Sequence, residues 1–351
     1  MDESREFPLE IVKELGDLGF LGIGFPEEFG GSGGTKLEFA VAVEEIYRLS
    51  AGLAASTFMS PLIAHDILLS NSSREAKKRL VPPILAGEMI AALAVTEPEA
   101  GSDAGAIRTS AKRVEGGWKI NGYKRFITNA NISDLVLVLA RTTANTGNKG
   151  LTLFAVPKGT PGLVPQRQFS KVGWRCSDTA DIAFDECTVP DDAVVGEVDG
   201  GFKCVMNGFN LERIVLATGS VGLGQAALDA SVSYVSQRVQ FGQLIGTFQS
   251  VRESVARMAA DVEAARQLSY FAAREMDAGR PCAKEASMAK LVAGEMAQRV
   301  TMKSIQLHGG SGFTMEVPVQ RFHRDSLIMT IGGGTSEIQS ELIARTLGLP
   351  R

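Results

Sequence analysis

The sequence predicts an α+β multidomain protein, with a helical unit at 1–87, a β-domain at 88–195 and a helical bundle at 196–351. Three observations predict it. Apolar residues recur at helical spacing through most of the first 87 positions. Short apolar runs between turn residues fill 88–195. From residue 201 helical periodicity returns in three long runs.

In the first unit, Pro8, Leu9, Ile11, Val12, Leu15 and Leu18 form one helical stripe over 7–19. The Gly-rich turn EEFGGSGG (27–34) lacks G-x-G-x-x-G between a strand and a helix, so no Rossmann site is expected there. Helical spacing resumes over 36–49 and 52–70. A short helix is predicted over 74–86, with Pro82 and Pro83 kinking or ending it.

The character changes at 88. EMIAALAV (88–95) is a compact apolar run, and TEPEAGSDAG (96–105) is a loop by composition. Alternation over 114–120 around Gly116-Gly117 predicts a hairpin, and Asn121-Gly122 predicts a second turn. Strands at 126–128, 135–140, 151–156 and 182–184 complete a barrel or sandwich.

Residues 201–239 contain no proline and predict one helix of roughly 60 Å. Runs rich in Ala, Met, Leu and Val at 248–278 and 284–307 would pack on it as an antiparallel bundle. The tail IGGGTSEIQSELIARTLG (331–348) predicts a helix behind glycines, with Ser336 and Gln339 as a capping box.

Composition excludes several classes. Net charge is −4, which invites no nucleic-acid partner. Four cysteines and three histidines form neither C-x-x-C nor H-x-x-x-H, so no metal site or disulfide framework is expected. Apolar runs such as LVLVLA (135–140) are too short to span a bilayer. The start MDESREF lacks the apolar segment of a signal peptide, so a cytoplasmic location is expected.

One carboxylate stands out. Glu212 lies a third of the way along the 201–239 run. Its neighbours at helical spacing are Gly208, Phe209, Val215, Leu216 and Gly219. A carboxylate in apolar surroundings has a raised pKa and becomes a usable proton acceptor. The same pattern also suits a glutamate that bends to solvent or meets a cation from another element. The tail is equally two-sided. A helix N-terminus behind glycines offers N–H groups to an anion or a polarised ring, or is an ordinary cap. Thr96 and Ser102 in TEPEAGSD and the glycines of QLHGGSG (306–312) lie in polar loops, and FIT (126–128) places a ring two residues before a hydroxyl on one strand face. Such loops meeting between helical and β layers suggest a large, flat cofactor with polar edges.

Six blocks in order carry a resemblance. They are LAVTEPEAGSD (93–103), NGYKRFITNA (121–130), VGWRCSDT (172–179), RVQFGQLIGTFQ (238–249), QLHGGSGF (306–313) and GGGTSEIQ (332–339). Over nearly its whole length the sequence resembles the acyl-CoA dehydrogenases. The resemblance implies a helical domain, a central β-barrel-like domain and a C-terminal four-helix bundle. It implies FAD as cofactor and an acyl-CoA substrate in fatty acid or branched-chain acid breakdown. Electrons would pass to electron-transferring flavoprotein, and the chains would form a homotetramer built as a dimer of dimers.

Residue roles follow from the same resemblance. Leu93, Val95, Thr96, Gly101 and Ser102 would follow the flavin, with Ser102 also near CoA. Phe126, Ile127 and Thr128 would lie against the ring system; Phe126 stands where many members have Trp. Arg238, Phe241 and Gln249, with Gln306, Leu307, Gly309 and Gly310, resemble residues of a site shared with a neighbouring subunit. Thr335, Ser336 and Glu337 would close over the cofactor. Phe209, Asn210, Leu211, Arg213, Gly333 and Gly334 would flank the substrate. Many members place the catalytic glutamate just before G-T-S. Here glycine fills that neighbourhood, and Glu212, in NLER, matches the minority that carry the base on the long helix. Gly332 and Gly333 would leave room beside the thioester, favouring a branched, cyclic or longer acyl chain over butyryl. An acyl-CoA oxidase and a non-catalytic flavoprotein paralogue are the alternatives.

Overall fold

The computed structural model describes residues 1–349. Its first layer is helical: α1 (Leu9–Asp17), α2 (Lys36–Leu49), α3 (Ala51–Ala54), α4 (Ser60–Asn71) and α5 (Arg74–Leu85). Thr35 and Glu38 form a true capping box on α2. A π-helical turn, Ala55–Met59, joins α3 to α4 without a break. The segment Ala51–Asn71 is long and apolar enough to cross a membrane, contrary to the expectation that no run is. However, 83% of its most apolar window is buried inside the protein, which marks it as a core helix. Pro82 and Pro83 do not end α5 but sit inside its last turn. Each removes a bond to a carbonyl four residues back, and those carbonyls belong to the exposed residues Lys78 and Arg79, within reach of water.

The β-domain contains β1 (Ala91–Ala94), β2 (Ser110–Val114), β3 (Gly117–Thr128), β4 (Leu135–Arg141), β5 (Leu151–Pro157), β6 (Leu163–Pro165), β7 (Thr179–Pro190) and β8 (Val194–Val195). The order is β6-β7-β3-β2-β4-β5-β8, with β1 parallel to β4. Trp118 on β3 and Phe154 on β5 have ring centroids 5.6 Å apart. A flat sheet would separate strands three positions apart by roughly 14 Å. The sheet therefore curls around a second core of Trp118, Ile120, Phe154, Ile182 and Phe184. Asn121-Gly122 is not the expected turn. It is a bulge inside β3, with Gly122 at φ +156 where a side chain would collide with Thr109. Asn121 and Glu186 hydrogen-bond reciprocally across it. The single hairpin turn between β2 and β3 is Glu115-Gly116.

The third layer is α6 (Gly201–Val235), α7 (Gln249–Asp277), α8 (Ala283–His308), α9 (Val319–Ser326) and α10 (Ser336–Thr346). The long helix ends four residues short of the predicted 239. Arg238 is thus beyond it, because Phe241-Gly242 (φ +54 and +76) turn a small hairpin of β9 (Val239–Gln240) and β10 (Gln243–Leu244). The sequence pattern does not foretell α9. Helices α6, α7 and α8 alternate in direction. Arg299 of α8 approaches Asp261 of α7, and Ser231 of α6 bonds Ser304 of α8. Helix α4 packs on both α6 and β1, so the first layer bridges the other two.

Candidate active site

Glu212 projects from α6 toward the loop before α10. A Cβ placed on Gly333 would lie 3.4 Å from Glu212 Oε1 and 2.5 Å from Leu216 Cδ1. Two stretches 121 residues apart are thereby brought into contact. Gly333 adopts φ +64 and Gly334 φ +93, which bends the loop against α6. The expected room at Gly333 is not there: Leu216 and the Glu212 carboxylate fill it.

The Glu212 side chain keeps part of its surface open. Protein nonetheless surrounds the carboxylate, and burial pushes its pKa up to about 7, against the pull of Arg213 and Lys290. The sign of the linkage is set by that rise. Ionising Glu212 costs the folded state stability as pH climbs from the ordinary glutamate value of 4.5 to about 7. At neutral pH the group can both accept and release a proton.

Around it, Arg213 is buried and donates to Asn210 Oδ1 at 2.9 Å, while its Nε has no partner. Lys290 of α8, 1% exposed, donates to the Gly334 carbonyl at 2.6 Å. Gln339 donates to the Gly333 and Gly334 carbonyls at 3.0 and 2.9 Å. This bonding corrects the predicted cap. The α10 N-cap is Thr335, which accepts from Ile338 N at 3.4 Å, and Gln339 serves the glycine loop rather than Ser336. Phe209 is half-buried beside this site; Leu211 is fully buried and faces the core.

A second group assembles at the ends of β1 and β3. Arg125 N donates to Thr96 O at 2.8 Å. Lys124, fully buried, binds Val95 O at 2.8 Å and Glu97 at 2.9 Å. Glu97 also accepts the backbone N–H groups of Arg108 and Thr109, which pins the TEPEAGSD loop. Burial lowers the Lys124 pKa to about 8, against the pull of Glu97. Phe126 stands at φ +59, 57% exposed, its centroid 5.2 Å from Phe169. The bulge there breaks the alternation expected to put Phe126 and Thr128 on one face. Ile127 is buried; Leu93, Thr96 and Thr128 are half-exposed; Gly101 and Ser102 are exposed. Ser60 Oγ to Thr128 O, and Asn129 Nδ2 to Ser56 O at 3.0 Å, tie this edge to the π-turn region. A π-turn is a frequent mark of a functional site.

A third group lies at the far end of the bundle. Arg238, Phe241, Gln249, Gln306, Gly309 and Gly310 are exposed, and Leu307 is half-exposed. The single chain does not bring them to Glu212. The helix alone puts 23 residues, roughly 35 Å, between Glu212 and Val235.

Phe126 offers an open aromatic face, and the neighbouring backbone edge is pinned. At glycines 101, 309 and 310 an added Cβ would meet nothing within 4 Å. The Phe126 ring and the pinned edge beside it fit one face of a planar cofactor. Among the described residues no group of His, Cys, Asp or Glu is placed to hold a metal. Sequence reasoning missed Lys290. The available signal was one lysine on a stripe of small residues, Ala286, Ala289 and Ala293, all fully buried.

The chain is similar to known proteins along its whole length. The family descriptions "Acyl-CoA dehydrogenase" N-terminal, middle and C-terminal domain match residues 1–88, 92–187 and 199–348. The mitochondrial isovaleryl-CoA dehydrogenase of Solanum tuberosum is 40% identical over 99% of this chain and 85% of its own length. The butyryl-CoA dehydrogenase structure from Megasphaera elsdenii superposes with a TM-score of 0.97 at 35% identity, covering 99% and 91% of the two chains. A chain solved in work on the electron transferring flavoprotein of Acidaminococcus fermentans gives 0.97 at 34% identity, with coverage of 99% and 91%.

Proposed function

The chain belongs to the acyl-CoA dehydrogenase family, oxidoreductases acting on CH–CH groups, and we propose that it oxidises an acyl-CoA thioester to the 2,3-enoyl-CoA with Glu212 as base and FAD as cofactor. The observation that carries this reading is the Glu212 carboxylate against Gly333. The loop position where many relatives hold their base has no side chain, and the carboxylate of α6 fills the gap.

Glu212 takes the α-proton of the thioester. When bound, FAD would supply the acceptor for the β-hydride. The Gly333 N–H and a cofactor hydroxyl would stabilise charge developing on the thioester oxygen. Arg213, buried with a free Nε, and Asn210 would meet the polar end of the substrate. Phe126 would cover one face of the flavin, and Thr96 and Thr128 would border it. The acyl chain would displace water from the open side of Glu212 and raise its pKa further.

A branched acyl chain is the expected best substrate. Its support is the likeness to isovaleryl-CoA dehydrogenase, since Leu216 removes the argument from spare room at Gly333. Electron-transferring flavoprotein is the proposed acceptor, and a homotetramer the proposed assembly.

The test is anaerobic flavin bleaching by acyl-CoA. Glu212→Gln should keep yellow FAD and lose bleaching; full activity in that variant overturns the base. In the wild type, the bleaching rate of free enzyme should rise as pH passes about 7 and Glu212 ionises. A rate flat from pH 6 to 8 would contradict this.

A further inference from the structure

Lys290 is a buried cation without a carboxylate in ion-pair range among the described residues. Burial of that kind is costly unless the charge is used. Its Nζ reaches over the glycine loop to the Gly334 carbonyl at 2.6 Å. Gln339 holds the same carbonyl and that of Gly333 from the other side. The two donors fix the loop whose Gly333 touches Glu212 and Leu216. Three elements thus converge on one carboxylate: α6 carries it, α8 supplies the charge, and α10 anchors the loop.

We infer that Lys290 is a positioning residue that keeps the Gly332–Gly334 loop in place and sets the proton affinity of Glu212 through its charge. This rests on Glu212 being the base. The groups facing Glu212 are Arg213 on its own helix, Lys290 from α8 and the phenol of Tyr47 from α2; Lys290 in turn faces Glu337 of α10. Burial lowers the Lys290 pKa to about 8, against the pull of Glu212. An ionised Lys290 favours the carboxylate that must accept the substrate proton. A bonded Gly334 carbonyl keeps the Gly333 peptide pressed to it.

The experiment separates charge from hydrogen bonding. Lys290→Gln keeps a donor for Gly334 and loses the charge. Lys290→Arg keeps the charge. The protonated carboxyl of Glu212 is followed by infrared difference titration against Glu212→Gln, and bleaching rate is recorded over the same pH range. Lys290→Gln should move the carboxyl midpoint and the acid limb of the rate up by about one pH unit. Bleaching at pH 7 should fall about fivefold and recover at higher pH. Lys290→Arg should leave the midpoint within a few tenths of a unit. Lys290→Met, apolar and of similar length, removes charge and donor together; should the glutamine variant not fold, its midpoint is compared with that of Lys290→Arg, which keeps both. An unmoved midpoint in the neutral variants, or a rate lowered equally at every pH, overturns the inference. If the midpoint moves while Glu212→Gln still bleaches, the coupling stands and the base assignment falls instead.

Discussion

The two ends of α6 carry the same kinds of residue in opposite states. At the near end, Glu212, Lys290, Gln339 and the glycine loop meet inside one chain, and every contact is made by its own packing. At the far end, Arg238, Gln249, Gln306, Gly309 and Gly310 face outward beside two nearly bare rings, Phe241 at 92% and Phe313 at 91% exposed. Arg238 has no ion pair among the described residues. The near end is therefore a product of tertiary structure alone. Among the described residues these far-end groups stay open to solvent, where the proposed second subunit would cover them.

Breaking the near end should cost most. Loss of a positioned general base typically removes 10²–10⁴-fold in rate, so Glu212→Gln should fall by about that factor in single-turnover bleaching. FAD content and assembly should not change, because the far end is untouched. A variant that loses its flavin as well would show that the two ends are not separable.

Breaking the far end should do the reverse. Phe241→Asp combined with Arg238→Ala removes an exposed ring and an unpaired cation. Such anchors are worth about 2 kcal/mol or more when buried in an interface. Sedimentation should show smaller species, and FAD should dissociate at least about tenfold more readily. The Glu212 infrared midpoint should stay near its wild-type value. Unchanged sedimentation and flavin retention would remove the second surface from the account.

A tighter probe of the near end is Gly333→Ala. The new Cβ would sit 2.5 Å from Leu216 Cδ1 at a positive φ. Overpacking and backbone strain each cost about 1–3 kcal/mol, so denaturant unfolding should show a loss of about 2–6 kcal/mol. In a Leu216→Ala background, itself destabilised by the lost core side chain, Gly333→Ala should cost less than it does in the wild type. Equal stability of Gly333→Ala and wild type would mean the loop is not pressed on α6 as described.

The three-layer plan was legible because periodicity is a local property. Apolar residues at spacing 3.6 marked α2, α6, α7 and α8, and short runs between turns marked the strands. What failed was decided by neighbours distant in sequence. Asn121-Gly122 has turn chemistry, yet β7 pairs across it and Glu186 staples it as a bulge. Pro82 and Pro83 have breaker chemistry, yet the carbonyls they orphan lie in an exposed turn. Glu212 could be singled out from its own helix face. Lys290 shows in the sequence only as one lysine on a stripe of small residues; its bond from α8 to Gly334 spans 44 residues and leaves no spacing pattern that would join it to Glu212.

The smallest expected effect discriminates between two neighbouring residues at the near end. Sequence pattern makes Ser336 the cap of α10; the structure makes it Thr335, whose side chain accepts from Ile338 N, while Ser336 is already inside the helix with its hydroxyl available to others. A lost cap costs about 0.5–2 kcal/mol, and the 3.4 Å length of this bond places it toward the low end. Thr335→Val removes the acceptor and keeps the volume, so it should lower stability by about 0.5–1 kcal/mol. Ser336→Ala removes a hydroxyl at a first-turn position and should change stability by less than about 0.5 kcal/mol. The gap is small but its sign is decisive, and it is read in the same denaturant titrations as Gly333→Ala. A larger loss in Ser336→Ala than in Thr335→Val would move the helix start by one residue.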